Sequence, residues 1–193
     1  MLIPGSELIN TPVMSLQTGA ELATTHTAVI NPHKLTVEAY VLSGPTLDSE
    51  VSLLRTLDIR EIGAIGMIID SSDEFITPGD VIKLDDIYAL HFTLENKLVL
   101  NEKRHKVGKV IDYTVDVDNF SIEQLNVRRP LLKSFNDDEL IIHRSQIIEI
   151  TDDAIVIKEM EVTPMPTLSQ KSFANPFRGT TPQAEGIDVS QDE

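Results

Sequence analysis

Cysteine is absent from the 193 residues, and so is tryptophan. The first absence excludes a disulfide framework, a thiol nucleophile and any cysteine-ligated zinc or iron–sulfur centre. Aromatic residues make up only 5% of the chain, so branched aliphatic side chains must fill the interior, and these suit strands. Positive charge is scarce as well: 16 Lys and Arg face 31 Asp and Glu, a formal net charge of −15. The acidic excess falls on both halves of the chain, and it opposes indiscriminate contact with nucleic acid or anionic membrane. No apolar run approaches the roughly 20 residues that a membrane-spanning helix needs, so membrane insertion is not expected. The opening Met1-Leu2-Ile3-Pro4-Gly5-Ser6-Glu7 has neither the basic nor the apolar region of a signal peptide. The expected location is the cytoplasm.

Chemical motifs are equally sparse. There is no phosphate-cradling G-x-x-x-x-G-K-[ST] and no H-E-x-x-H. Gly63-Ala64-Ile65-Gly66 is a lone G-x-x-G, better explained by a corner or bulge in a sheet. The five histidines, His26, His33, His91, His105 and His143, are scattered without metal-ligand spacing. Asp112, Asp116, Asp118 and Glu123 fall near the pattern of a calcium loop, but Val117 stands where the sharp turn needs Gly. Carboxylates are too plentiful to mark a catalytic pair, and no serine has a nucleophile-elbow context. No catalytic, metal or cofactor residue is assigned, and the chain is read as non-enzymatic.

What is present is strand periodicity. From Ile111 to Asp118 the chain reads I-D-Y-T-V-D-V-D, so Ile111, Tyr113, Val115 and Val117 share one face and the polar residues the other. A second extended run spans Phe120 to Arg128, and further apolar segments follow at Leu140–His143, Ile147–Ile150 and Ala154–Ile157. The first half repeats this order: an extended Glu21–Ile30, a turn at Asn31-Pro32-His33-Lys34, an alternating Leu35–Leu42, then Ile59–Ile62 and Met67–Ile76. Short strands at this spacing predict an all-β fold, and the parallel order predicts an internal duplication.

The residues Lys106-Val107-Gly108-Lys109-Val110-Ile111-Asp112, then Ile122 to Arg129, then Leu140 to Val156 with Asp152-Asp153 at the last turn, resemble the PRC-barrel domain family. The resemblance covers about 86–160 well and 5–85 less well, where Ala23 stands at the position of Gly108. It implies two tandem small β-barrels, over 1–88 and 89–162, of a kind that serves as a docking module in protein or RNA-linked assemblies. Its motifs are structural and bring no catalytic residues.

From Val162 the composition turns to Pro, Ser, Thr, Gln and Gly, so 163–193 is expected to be a tail. Within it Phe173 and Phe177, with Pro176 and Arg178, have the form of a short linear motif. One cluster runs against the acidic average: Lys103, Arg104, Lys106 and Lys109, joined by Arg128, Arg129 and Lys133. A solvated rim is the plain explanation of such a run, and a docking patch for an acidic partner the sharper one. The expectation is a scaffold protein that docks a protein partner through its barrels and tail, self-association being compatible with it. The alternative is a factor linked to RNA or ribosome maturation.

Overall fold

The computed structural model describes residues 1–130 and 139–158. A short strand, β1 (Leu2–Pro4), and one turn of 3₁₀ helix (Gly5–Leu8) lead into β2 (Pro12–Ser15), β3 (Glu21–Asn31), β4 (Thr36–Ser43) and β5 (Ser52–Arg55). A 3₁₀ turn (Thr56–Asp58) precedes β6 (Glu61–Gly63) and β7 (Gly66–Ile69), and β8 (Phe75–Ile76) and the helix α1 (Ile82–Tyr88) follow. The series then recurs as β9 (Leu98–Asn101), β10 (Lys106–Asp116), β11 (Ser121–Arg128), β12 (Glu139–His143), a 3₁₀ turn (Arg144–Gln146), β13 (Ile147–Ile150) and β14 (Ala154–Ile157). β3 and β10 are both 11 residues long, and β4 and β11 both 8. Glu21 and Lys106 open the first pair and Thr36 and Ser121 the second, a constant spacing of 85 positions. The fold is all-β, as its composition and periodicity predict.

Pairing repeats with the same fidelity. β2 and β9 each lie antiparallel to the strand that follows and parallel to the second strand of a later hairpin, β7 or β14. The ladder order β13-β14-β9-β10-β11-β4-β3-β2-β7-β6 is therefore a palindrome about the β11–β4 junction. That junction is short: Ser121 pairs with Thr36, the Val37 amide donates to the Phe120 carbonyl, and the Ile122 amide donates to the Leu35 carbonyl. Leu35 and Phe120 both have positive φ, 53° and 55°. The fourteen strands of the described residues form one sheet whose ladder does not close on itself.

Both repeats lie within one compact unit, Met1–Glu159, and share a hydrophobic cluster that includes Ile30, Val37 and Tyr40 from the first and Val110, Tyr113 and Leu125 from the second. β1 crosses to the second repeat: it pairs with β10, setting Ile3 opposite Val115. The outer face of the first repeat (Val29, Ala39, Leu53) is apolar because α1 and β8 cover it through Leu84, Val81, Ile87 and Ile76. By strand register the same positions in the second repeat are Thr114, Gln124 and Ile141, a mostly polar face, with Ile141 62% exposed.

Two alternations differ from the sequence pattern for identifiable reasons. A bulge between Val110 and Asp112 shifts the phase of β10, so Val110 is buried rather than Ile111. β4 is covered on both faces, so Tyr40 and Leu42 are as buried as Val37 and Ala39.

Tyr40 faces Ala28 across the ladder, and the equivalent pair in the second repeat is Tyr113 with Leu125. The Tyr40 hydroxyl is buried without a hydrogen-bond partner, and burial holds its pKa far above the ordinary tyrosine value. A buried unsatisfied hydroxyl costs about 1–3 kcal/mol. Tyr40→Phe is thus expected to raise the melting temperature by a few degrees. Thermal unfolding followed by circular dichroism checks this, and a fall would mean that the hydroxyl is satisfied.

Candidate anion-binding groove

Gly108 lies buried in β10, where the ladder brings the end of β11 close. On either side of this contact Lys109 and Arg128 form a cross-strand pair. With Lys106 and Arg129 they line a shallow groove of about 230 Å³ whose remaining wall is Asn96, Val110, Ile111 and Pro130. Alternation along the strand explains the arrangement. Lys106 and Lys109 are exposed while Gly108 and Val110 point inward, and the bulge turns Ile111 into the groove.

None of Lys106, Lys109, Arg128 or Arg129 makes an ion pair with another described residue. Four cations therefore converge over a partly apolar floor on a chain of net charge −15. Guanidinium groups offer a planar fork to carboxylate or phosphate, and ammonium groups offer point charges. The first repeat has no such groove: register places Glu21, Thr24, Ser43 and Gly44 at the positions of Lys106, Lys109, Arg128 and Arg129. The basic character thus belongs to the second repeat alone.

Of the residues expected to form a basic patch, these four meet. Lys103 and Arg104 sit in the β9–β10 turn outside the groove lining. Arg104 adopts φ 61°, matching Gly19 (φ 69°) in the first repeat, and its guanidinium donates to Glu149 at 3.1 Å. Lys133, Phe173, Pro176, Phe177 and Arg178 lie outside the described residues. The sequence assigns no site role to Asn96, Val110, Ile111 or Pro130, because a neutral groove wall carries no signature of its own.

The acidic residues that mimic a calcium loop are engaged elsewhere. Asp112 accepts from the Ser6 hydroxyl at 2.6 Å, and Asp116 and Asp118 accept from the Met1 ammonium at 2.9 and 3.0 Å. Hydrogen bonds from Ser121 and then Arg144 hold Glu123 below the ordinary carboxylate value.

No protein-family model matches the chain, and no curated protein matches it. Among the described residues, no helix is long and apolar enough to cross a membrane.

Proposed function

We propose that this chain is a non-enzymatic scaffold or binding protein of the cytoplasm, built from PRC-like repeats, whose second repeat docks an acidic segment of a protein partner. The observation that carries the reading is the convergence of Lys106, Lys109, Arg128 and Arg129, unpaired among the described residues, on one groove. The partly apolar floor favours a peptide in which acidic and aliphatic residues mix. Among the described residues the groove lining holds no aromatic ring, whereas single-stranded RNA is held largely by base stacking on such rings. The surrounding negative charge also repels a long polyanion while tolerating a short acidic segment at this one patch.

The test is fluorescence anisotropy with a labelled peptide of alternating Asp and Leu, and with a single-stranded RNA of equal length. The peptide is expected to bind the wild-type chain, to weaken as salt is added, and to lose affinity at least about tenfold when Lys106, Lys109 and Arg128 are all changed to Glu. The triple variant should keep its melting temperature, since exposed charges rarely shift stability by more than about 0.5 kcal/mol. Tighter binding of the RNA would favour the maturation-factor reading. Binding of neither ligand, or peptide binding indifferent to charge reversal, would overturn the docking role.

A further inference from the structure

The repeats meet along two seams related by the palindromic order of the sheet, and only one of them is filled. At the first, Arg144, from the 3₁₀ turn of the second repeat, reaches across to the β3–β4 turn of the first. Its guanidinium donates to the Lys34 carbonyl at 3.0 Å and to Glu123 at 3.0 Å. Glu123 is in turn held by the Ser121 hydroxyl.

At the second seam the equivalent elements are the 3₁₀ turn Thr56–Asp58 and the β10–β11 turn. Here Thr56 stands where Arg144 stands, Glu38 where Glu123 stands, and Asn119 where Lys34 stands. The correspondence extends to contacts: Thr36 donates to Glu38 just as Ser121 does to Glu123. Thr56 is too short to cross. Its hydroxyl turns back to the Val37 and Glu38 carbonyls, at 3.1 and 3.2 Å. The space that the guanidinium fills at the first seam is left as a cleft of about 500 Å³, lined by Leu57, Ile59, Glu61, Val117, Asn119 and Phe120 among others.

We infer that this cleft is a docking site for an arginine side chain of a partner protein, seated as Arg144 is seated at the related seam. Three features fit that occupant. Leu57, 88% exposed at the rim, and the Ile59 and Phe120 side chains offer apolar surface to the aliphatic stem of an arginine. Glu61, in the cleft lining, makes no hydrogen bond or ion pair with a described residue and is free to receive the guanidinium. The other charges at the cleft are already matched: Arg60 pairs with Asp70, and Asp118 with the Met1 ammonium. The site is separate from the basic groove and takes ligands of the opposite sign.

The probe is a capped pentapeptide with a central arginine between alanines, titrated into the ¹⁵N-labelled full chain and followed by amide chemical shifts. Saturable shifts are expected at Leu57, Glu61, Asn119 and Phe120. The citrulline peptide, equal in shape but uncharged, should bind at least about tenfold more weakly, because charge-assisted hydrogen bonds carry the recognition. Thr56→Arg should fill the cleft from within and abolish the shifts. Because Thr56 is buried, Glu61→Gln supplies a second, milder variant, which should weaken the peptide without unfolding the chain. Charge reversal in the basic groove should leave the response intact. Absent shifts, equal binding of the citrulline peptide, or the same amides shifting with protein concentration alone would overturn the assignment, the last by making the occupant a second copy of the chain.

Discussion

A chain lacking residues 1–8 is expected to melt roughly 8–16 °C below the intact protein, although it loses only one short strand and one helical turn. Leu8 is 2% exposed and belongs to the cluster shared by the repeats. Removing a buried leucine costs about 2–5 kcal/mol through lost transfer and the cavity left behind. The segment also ties two strands, β10 and β3, together through three contacts. β1 pairs with β10, the Ser6 hydroxyl is bound by Asp112, and the Leu8 carbonyl accepts from the buried Thr25 hydroxyl at 2.7 Å. Deletion uncovers the edge of β10 and one face of Tyr113, against which Gly5 packs. A combined loss of about 4 kcal/mol is a large part of the 5–15 kcal/mol that holds a domain folded. For a chain of this size, each kcal/mol is worth about 2–4 °C. Differential scanning calorimetry on the truncated chain, with Leu8→Ala alongside it, measures the effect. A shift of only one or two degrees would show that β1 is a peripheral attachment and that the second repeat keeps its core without it.

The same segment illustrates what was legible in the sequence. Leu2-Ile3-Pro4 is too short to show an alternation, and nothing in it says that its partner is Val115, more than a hundred residues away. Local pattern defines a strand, but the choice of edge depends on which face the rest of the chain leaves uncovered. The order of elements and the duplication were legible, because both follow from alternation and turn residues. Even the match of Ala23 with Gly108 holds in the register, since each lies one position before the cross-strand pair of its repeat, Thr24 with Ser43 and Lys109 with Arg128. The helix α1 was not anticipated. Its two turns are too few for a helical period to stand out, and no side chain caps its start.

The candidate sites divide along the same line. Lys109 and Arg128 stand out in the sequence as members of a basic cluster, and the pairing of β10 with β11 sets them opposite each other. Arg144 was not distinguishable from any other surface arginine. Its role depends on the β11–β4 junction, which rests on a single paired position and a few flanking hydrogen bonds. The unfilled counterpart at Thr56 was less visible still, because a missing contact leaves no mark in a sequence until its template is seen in the other repeat.

Gly108→Val should lower stability by about 3 kcal/mol and weaken peptide binding in the groove at the same time. The reason is space, since Gly108 is not among the glycines with positive φ. A Cβ at this position would overlap the Arg128 carbonyl oxygen and lie 2.6 Å from Val127 Cγ1. Neither can yield easily. Val127 is fully buried between Val110 and Leu140, and the Arg128 backbone is held in the ladders to β10 and β12. In the first repeat the same corner carries Ala23, but there position 44 is Gly, whose own Cβ would come within 3.3 Å of Ala23 Cα. Valine adds three carbons where even one does not fit, and overpacking of this kind costs about 1–3 kcal/mol, more where backbone must move. The melting temperature should fall by roughly 6–12 °C. Because relief requires β10 and β11 to part at Lys109 and Arg128, the folded variant should also bind the Asp–Leu peptide more weakly when assayed well below its melting temperature. Gly108→Ala should show both effects to a smaller degree. An unchanged melting temperature would mean that the corner is loosely packed, and unchanged peptide binding in a destabilised variant would mean that the groove does not depend on this close approach.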